Sequence, residues 1–235
     1  MEEEKTFYEH IEDLRKAIIK SIIVVIILSI AAYFFKNEIL EILVKPLGKE
    51  LIFLSPSEAF VTLLRLSIIT GAVVSFPYIS YEAWKFISVA FNKESRGRVV
   101  KYALISLILF YGAIIACYLF LLPIVLKFLM NFGGNLLVPT LTAENYINFV
   151  VVLLISFGLI FQFPVVLMIL LNLNLISVKT LTEKRAYFIV AIFIFAALLP
   201  PPDAISQIAI ALPMILFFEI VVLIAKIKSR KRGDN

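Results

Sequence analysis

Few carboxylates in this 235-residue sequence are candidates for a chemical role, and these lie close to basic residues. Glu9, Glu12 and Asp13 follow one another at helical spacing and so share a helix face. Glu94 is the one carboxylate inside a basic stretch at 91–98. Such carboxylates can bind guanidinium groups through paired, charge-assisted hydrogen bonds. A purely structural role is the simpler interpretation of their spacing, because acidic residues favour the first turn of a helix and Glu12 can pair with Lys16.

Motifs for catalysis and metal binding are absent from the sequence. It contains no phosphate-binding loop, no H-E-x-x-H and no G-x-S-x-G. The single histidine, His10, and the single cysteine, Cys117, have no companions of their own kind with which to form a metal site or a disulfide. We therefore expect that the protein is not an enzyme and that it binds no metal and no cofactor.

The elements that hold the carboxylates in place are strongly apolar. The chain is 62% hydrophobic and only 17% charged, with a mean hydropathy of +1.01. These values exclude a soluble globule and a disordered chain. The apolar runs are long and unbroken, whereas the strands of a membrane barrel would alternate apolar and polar residues. The sequence therefore predicts an all-α polytopic membrane protein.

Six charge-poor segments predict six transmembrane helices in a single integral membrane domain that comprises residues 1–235. Their approximate bounds are 17–35, 62–84, 102–123, 147–172, 185–199 and 204–225. The fifth and sixth are expected to be short. Pro77, Pro164 and Pro213 interrupt the second, fourth and sixth segments, so kinks are expected there.

Local patterns predict where several helices begin. Residues 55–58 and 180–183 have the form of capping boxes, and Asp203 follows three prolines as the expected N-cap of the sixth helix. Between the first two spans, residues 37–46 form a short amphipathic pattern that ends at Pro46. Each of these positions is expected to have a structural role.

The distribution of positive charge predicts the orientation. On this topology, 17 of the 22 lysines and arginines fall on the side that carries both termini. Basic residues accumulate on the cytoplasmic side of membrane proteins, so both termini are expected there. The net charge of +5 then reflects topology, and no nucleic-acid partner is expected.

Several motifs, in order along the chain, resemble those of the TatC family, the multispanning receptor subunit of the twin-arginine protein translocase. They extend from residue 10 to residue 219 and are His10-Ile11-Glu12-Asp13-Leu14-Arg15, Phe76-Pro77, Tyr81-Glu82-Ala83-Trp84-Lys85-Phe86, Phe91 with Glu94, Phe120 with Pro123, Phe157-Gly158, Phe161-Gln162-Phe163-Pro164, Pro201-Pro202-Asp203, Ser206-Gln207, Pro213 and Phe218-Glu219.

The resemblance implies a receptor in the cell (inner) membrane that binds twin-arginine signal peptides of folded preproteins on its cytoplasmic face. With single-span subunits of the TatA and TatB types, it would export these proteins using the proton-motive force, and self-association is expected. Position 13 matches the signature glutamate of the family, and either Asp13 or Glu12 can take that role. Glu94 matches the loop glutamate, while Arg15 and Phe86 would shape the site.

Gln162 departs from the family pattern, because many members have an acidic residue in the fourth helix. A glutamine can hydrogen-bond a partner helix but cannot titrate. We therefore expect Gln162, together with Gln207, to dock a partner helix and not to relay protons. Two other kinds of function remain open: a secondary transporter or channel for a small solute, which would need charge at the bilayer midplane, and a structural assembly factor.

Overall fold

A computed structural model describes residues 7–88, 99–131, 141–172, 175–198 and 204–232, and nearly all of them are helical. No strand occurs among these residues, and the only extended pairing is an isolated bridge between Ile52 and Thr142. The helices are α1 (Phe7–Phe34), α2 (Lys36–Val44), α3 (Pro56–Val74), α4 (Phe76–Ser88), α5 (Val99–Ala116), α6 (Leu122–Asn131), α7 (Ala143–Ile160), α8 (Phe163–Asn172), α9 (Val178–Glu183), α10 (Arg185–Leu198) and α11 (Ala204–Arg232).

Four stretches of the described chain are long and apolar enough to cross a membrane. They lie in α1, in α3, in the run from α5 through α6, and in the run from α7 through α8. The apolar helix α10 has only 14 residues, as expected for the fifth span. At 1.5 Å per residue it measures about 21 Å, which is less than the hydrocarbon thickness of about 30 Å.

Two of the three prolines break their segments as predicted. Ser75 separates α3 from α4 just before Pro77, and residues 161–162 separate α7 from α8 just before Pro164. A proline has no backbone N–H to donate to the preceding turn, so the helix ends shortly before it. Pro213, in contrast, lies inside α11, which continues through it without ending.

The sixth helix is also not short. The predicted segment 204–225 forms part of α11, which has 29 residues because the helix continues through the basic residues that follow the apolar stretch. The fixed φ of Pro213 is compatible with a helix, and only one backbone hydrogen bond is lost there.

The third segment continues beyond its predicted end. A π-helical stretch, Cys117–Leu121, joins α5 to α6, and the helical run ends only at Asn131. Pro123 follows directly in α6. Stretches of π-helix accommodate one additional residue within an α-helix, so this helix passes through its proline without a break.

One capping box is confirmed and the other is wrong. Ser55 caps α3 and accepts a hydrogen bond from the Glu58 backbone N–H at 3.2 Å. The predicted box at 180–183 instead lies within α9, whose cap is Ser177, and α10 begins only at Arg185. Pro46 lies in the turn that follows α2. Asp203 is outside the described residues.

The helices belong to two compact units. The first comprises residues 1–44 and 53–107, and the second comprises residues 45–52 and 108–235. In the first unit α1 packs along α3 and α4. In the second, α7 is the most buried element, and Val150 and Leu153 have no exposed surface.

Candidate functional site

The chain reverses its direction within the first unit. Helix α2, which follows α1, contacts α3, while α4, which follows α3, contacts α1. Ser29 marks the crossing of α1 and α3, and its hydroxyl donates to the backbone carbonyls of Val25 at 2.7 Å and Ile68 at 3.3 Å. From this crossing, Asp13 lies about 24 Å back along α1, and Phe86 lies a similar distance beyond Ile68 along α3 and α4. The two residues therefore lie at the same end of the unit.

Helix α1 turns one face toward its neighbours. Half-buried or buried residues recur along it at helical spacing, and Asp13 begins this series, which continues through Ala17, Ser21, Val24, Leu28 and Ala32. Glu12 and Arg15 are both exposed. The two candidate carboxylates of the signature motif therefore face different surroundings.

Glu12 is engaged within its own helix. Its carboxylate accepts from the Lys16 ammonium at 2.8 Å, and both side chains are about 60% exposed. This hydrogen bond and the charge of Lys16 lower the pKa of Glu12. The i, i+4 pair expected from the sequence is thus confirmed, and such exposed pairs add little stability.

Contacts between α4 and α5 hold both ends of the segment that contains Glu94. The rings of Trp84 and Tyr102 have centroids 5.8 Å apart. One turn earlier in α4, the Ser80 hydroxyl donates to that of Ser106 at 3.3 Å, with both residues buried. Glu94 itself lies outside the described residues. The described chain on either side of it is nevertheless fixed near Phe86, which is half-buried toward the end of α4.

The two glutamines of the second unit have different surroundings. Gln162 is half-buried at the break between α7 and α8, and its amide donates to the Gly158 carbonyl at 3.4 Å. The Gln207 amide donates to the Phe193 carbonyl at 3.2 Å and so connects α11 with α10. The structure thus gives Gln207 a contact inside the chain that the sequence did not predict.

An ion pair joins α10 to α11, and the sequence analysis did not identify it. The Glu219 carboxylate accepts from the Arg185 Nε at 2.6 Å and also contacts Nη2 of the same guanidinium. A guanidinium can make both contacts at once, which an ammonium cannot. One feature of the sequence could have indicated this ion pair: Arg185 begins a short helix that directly precedes the sixth segment, in which Glu219 lies.

These features define a class of protein: an all-α, multi-pass membrane protein in which apolar helices carry a few polar positions at their ends. The chain belongs to the TatC family, whose model, described as Sec-independent protein translocase protein (TatC), matches residues 9–213. The all-α, six-span class predicted from the sequence is therefore confirmed. The family is a component of a protein translocase.

Similar proteins match over nearly their full length. The Sec-independent protein translocase protein TatC of Carboxydothermus hydrogenoformans is 38% identical and covers 94% of this chain and 93% of its own. The TatC protein of Aquifex aeolicus is 35% identical, covering 96% and 97%. A crystal structure of the twin arginine translocase receptor TatC in DDM superimposes with a TM-score of 0.82 at 35% identity, and the match covers 92% of this chain and 99% of that one.

Proposed function

We propose that this protein is the receptor component of a twin-arginine translocase and not an enzyme. It lies in the cell inner membrane with both termini in the cytoplasm and binds the signal peptides of folded preproteins there. Single-span TatA- and TatB-type subunits are its partners in export, which uses the proton-motive force. Its similarity to TatC proteins and to the twin arginine translocase receptor TatC, together with the surplus of basic residues on the side of the termini, supports this proposal.

One observation carries the assignment of the peptide site. Asp13 and Phe86 lie at the same end of the first unit, and contacts at Trp84 and Tyr102 hold the chain on either side of Glu94 at this end. The proposed site combines the half-buried Asp13 with Phe86, and the resemblance to the family adds Glu94.

The chemistry of these residues suits a pair of arginines. Each guanidinium offers several N–H donors in a fixed plane, and a carboxylate can accept two of them at once. Two carboxylates on separate elements, Asp13 and Glu94, can each take one guanidinium of a consecutive pair. Phe86 supplies an aromatic surface on which a guanidinium or an apolar residue of the peptide can pack.

Peptide discrimination tests this proposal. We expect the purified protein to bind an Arg-Arg signal peptide about tenfold or more tightly than the same peptide with Lys-Lys, because lysine cannot form the two-pronged contact. We also expect Glu94→Ala to weaken the Arg-Arg peptide by about tenfold. Both effects can be measured by fluorescence anisotropy of a labelled peptide.

Exposed Glu183, which pairs with Lys179 at 3.9 Å in the second unit, provides a control of equal charge change. Glu183→Ala is expected to leave the peptide Kd unchanged. Equal affinity for the two peptides would contradict the receptor function, whereas an unchanged Kd for Glu94→Ala would remove only Glu94 from the site.

A second prediction concerns partner subunits. We expect Gln162→Leu to weaken co-purification with TatA- and TatB-type subunits by about threefold, because it removes a polar contact of the size found between membrane helices. Quantitative pull-down from membranes measures this effect. Gln207→Leu is the matched comparison, because it makes the same substitution at the second glutamine that was expected to dock a partner helix, whose amide connects α11 with α10. Normal assembly of the Gln162→Leu protein would contradict a docking role for this residue.

A further inference from the structure

A cleft of about 80 Å³ lies where α9, α10 and α11 meet, in the second unit. Its polar lining comprises Thr182, Arg185, Glu219 and Lys226. Its apolar side consists of Val222 and Leu223. A cleft with cationic and apolar sides matches the boundary between a lipid headgroup and its acyl chains.

The charges in the cleft favour an anion. Glu219 is neutralised by Arg185, which also fixes the orientation of the guanidinium. No carboxylate in the described part of the chain forms an ion pair with Lys226, and the cleft therefore has a surplus of one positive charge. The N-terminus of α10 begins at Arg185 and adds partial positive charge at the same place.

The position of the cleft favours a lipid over a soluble anion. It lies where the apolar part of α11 gives way to basic residues, and this change marks the headgroup level of a membrane. Tyr187, in the first turn of α10, is 76% exposed, as is typical of aromatic residues at a membrane interface. Leu223 is 60% exposed at the edge of the cleft, where an acyl chain would pass.

We propose that this cleft binds the headgroup phosphate of an anionic phospholipid. Lys226 and the outer N–H groups of Arg185 contact the phosphate, and the first acyl carbons lie on Val222 and Leu223. The Thr182 hydroxyl donates to the Val178 carbonyl at 2.9 Å, so its oxygen accepts from a headgroup hydroxyl. A lipid bound in this way bridges α10 and α11. The site involves none of the residues assigned to the signal peptide.

Native mass spectrometry of the full-length protein in detergent, titrated with phosphatidylglycerol or phosphatidylcholine, tests the site. We expect phosphatidylglycerol to bind more tightly and Lys226→Gln to weaken it by about fivefold. Lys101→Gln changes the same charge at an exposed position of the first unit and is expected to change this affinity less than about twofold. Inorganic phosphate in excess is expected to displace little of the bound lipid.

Equal binding of the two lipids, or equal losses in the two variants, would overturn the proposal. Displacement by inorganic phosphate as effective as by phosphatidylglycerol would also overturn it, because the cleft would then bind free phosphate. Binding of the Arg-Arg peptide is measured on the same samples. Lipid selectivity without peptide discrimination would support the lipid site while contradicting the receptor function.

Discussion

Replacing Asp13 with asparagine is expected to weaken binding of an Arg-Arg signal peptide by roughly ten- to hundredfold. The substitution keeps the shape of the side chain but removes its charge, and hydrogen bonds to charged groups contribute about 1.5–3 kcal/mol. Asp13 is half-buried on the face of α1 that packs on α3 and α4, where water screens the interaction less than at an exposed position. Isothermal titration calorimetry with the purified protein measures the change.

Glu12→Gln is the matched control, because Glu12 is the neighbouring carboxylate and is already engaged with Lys16 on the exposed side of α1. We expect it to weaken the peptide by less than about threefold. This comparison resolves which of the two residues takes the signature role. If Glu12→Gln had the larger effect, the assignment of Asp13 would be wrong, and the peptide would bind the exposed face of α1.

Gly71→Ala is expected to lower the free energy of unfolding by about 3 kcal/mol or more. Gly71 lies against Ser29 at the crossing of α1 and α3, and an added methyl group would overlap the Ser29 hydroxyl and lie 2.5 Å from its Cα. Overpacking usually costs about 1–3 kcal/mol. Here the obstacle includes backbone, so the helices themselves must separate. Thermal denaturation in detergent, followed by circular dichroism, measures the loss.

Two other glycines complete a graded series. No atom lies within 4 Å of a methyl group added to Gly112, so Gly112→Ala is expected to be neutral or to stabilise by up to about 1 kcal/mol. A methyl group added to Gly158 would meet side-chain atoms of Phe110 at 2.9 Å and Ile114 at 3.1 Å, which predicts an intermediate effect. Equal stabilities of the Gly71→Ala and Gly112→Ala proteins would show that the crossing can open without cost.

Much of this fold could be predicted from the apolar segments and the prolines. The thickness of the membrane sets the length that an apolar segment needs, and a proline interrupts the helical hydrogen bonds. Helices at all six segments follow from hydrocarbon thickness, and the breaks before Pro77 and Pro164 follow from the missing proline N–H. The short α10 follows from the short charge-free run between Arg185 and the prolines that begin at Pro200. The same rules could not predict that α11 passes through Pro213 unbroken or that α5 continues through a π-helical stretch. Both outcomes depend on packing between helices, which the hydrophobic periodicity of the sequence does not reveal.

The candidate site was predicted less completely than the fold. The motif around Glu12 and Asp13 located it, but spacing along one helix could not distinguish the two carboxylates, because the distinction depends on which face of α1 meets α3 and α4. In the same way, spacing along one helix could not predict that Glu219 pairs with Arg185 of the preceding helix. Partners that lie on another helix become apparent only in three dimensions.

The bridge between Ile52 and Thr142 bears on the order in which the protein folds. The backbone of Ile52 donates to Leu141 at 3.2 Å and accepts from Ala143 at 2.7 Å, about 90 residues later in the chain. During synthesis, α1 to α3 are complete well before these partners emerge. The segment that connects the first two spans can therefore reach its final conformation only after α7 has formed. Its conformation thus depends on the insertion of the later helices.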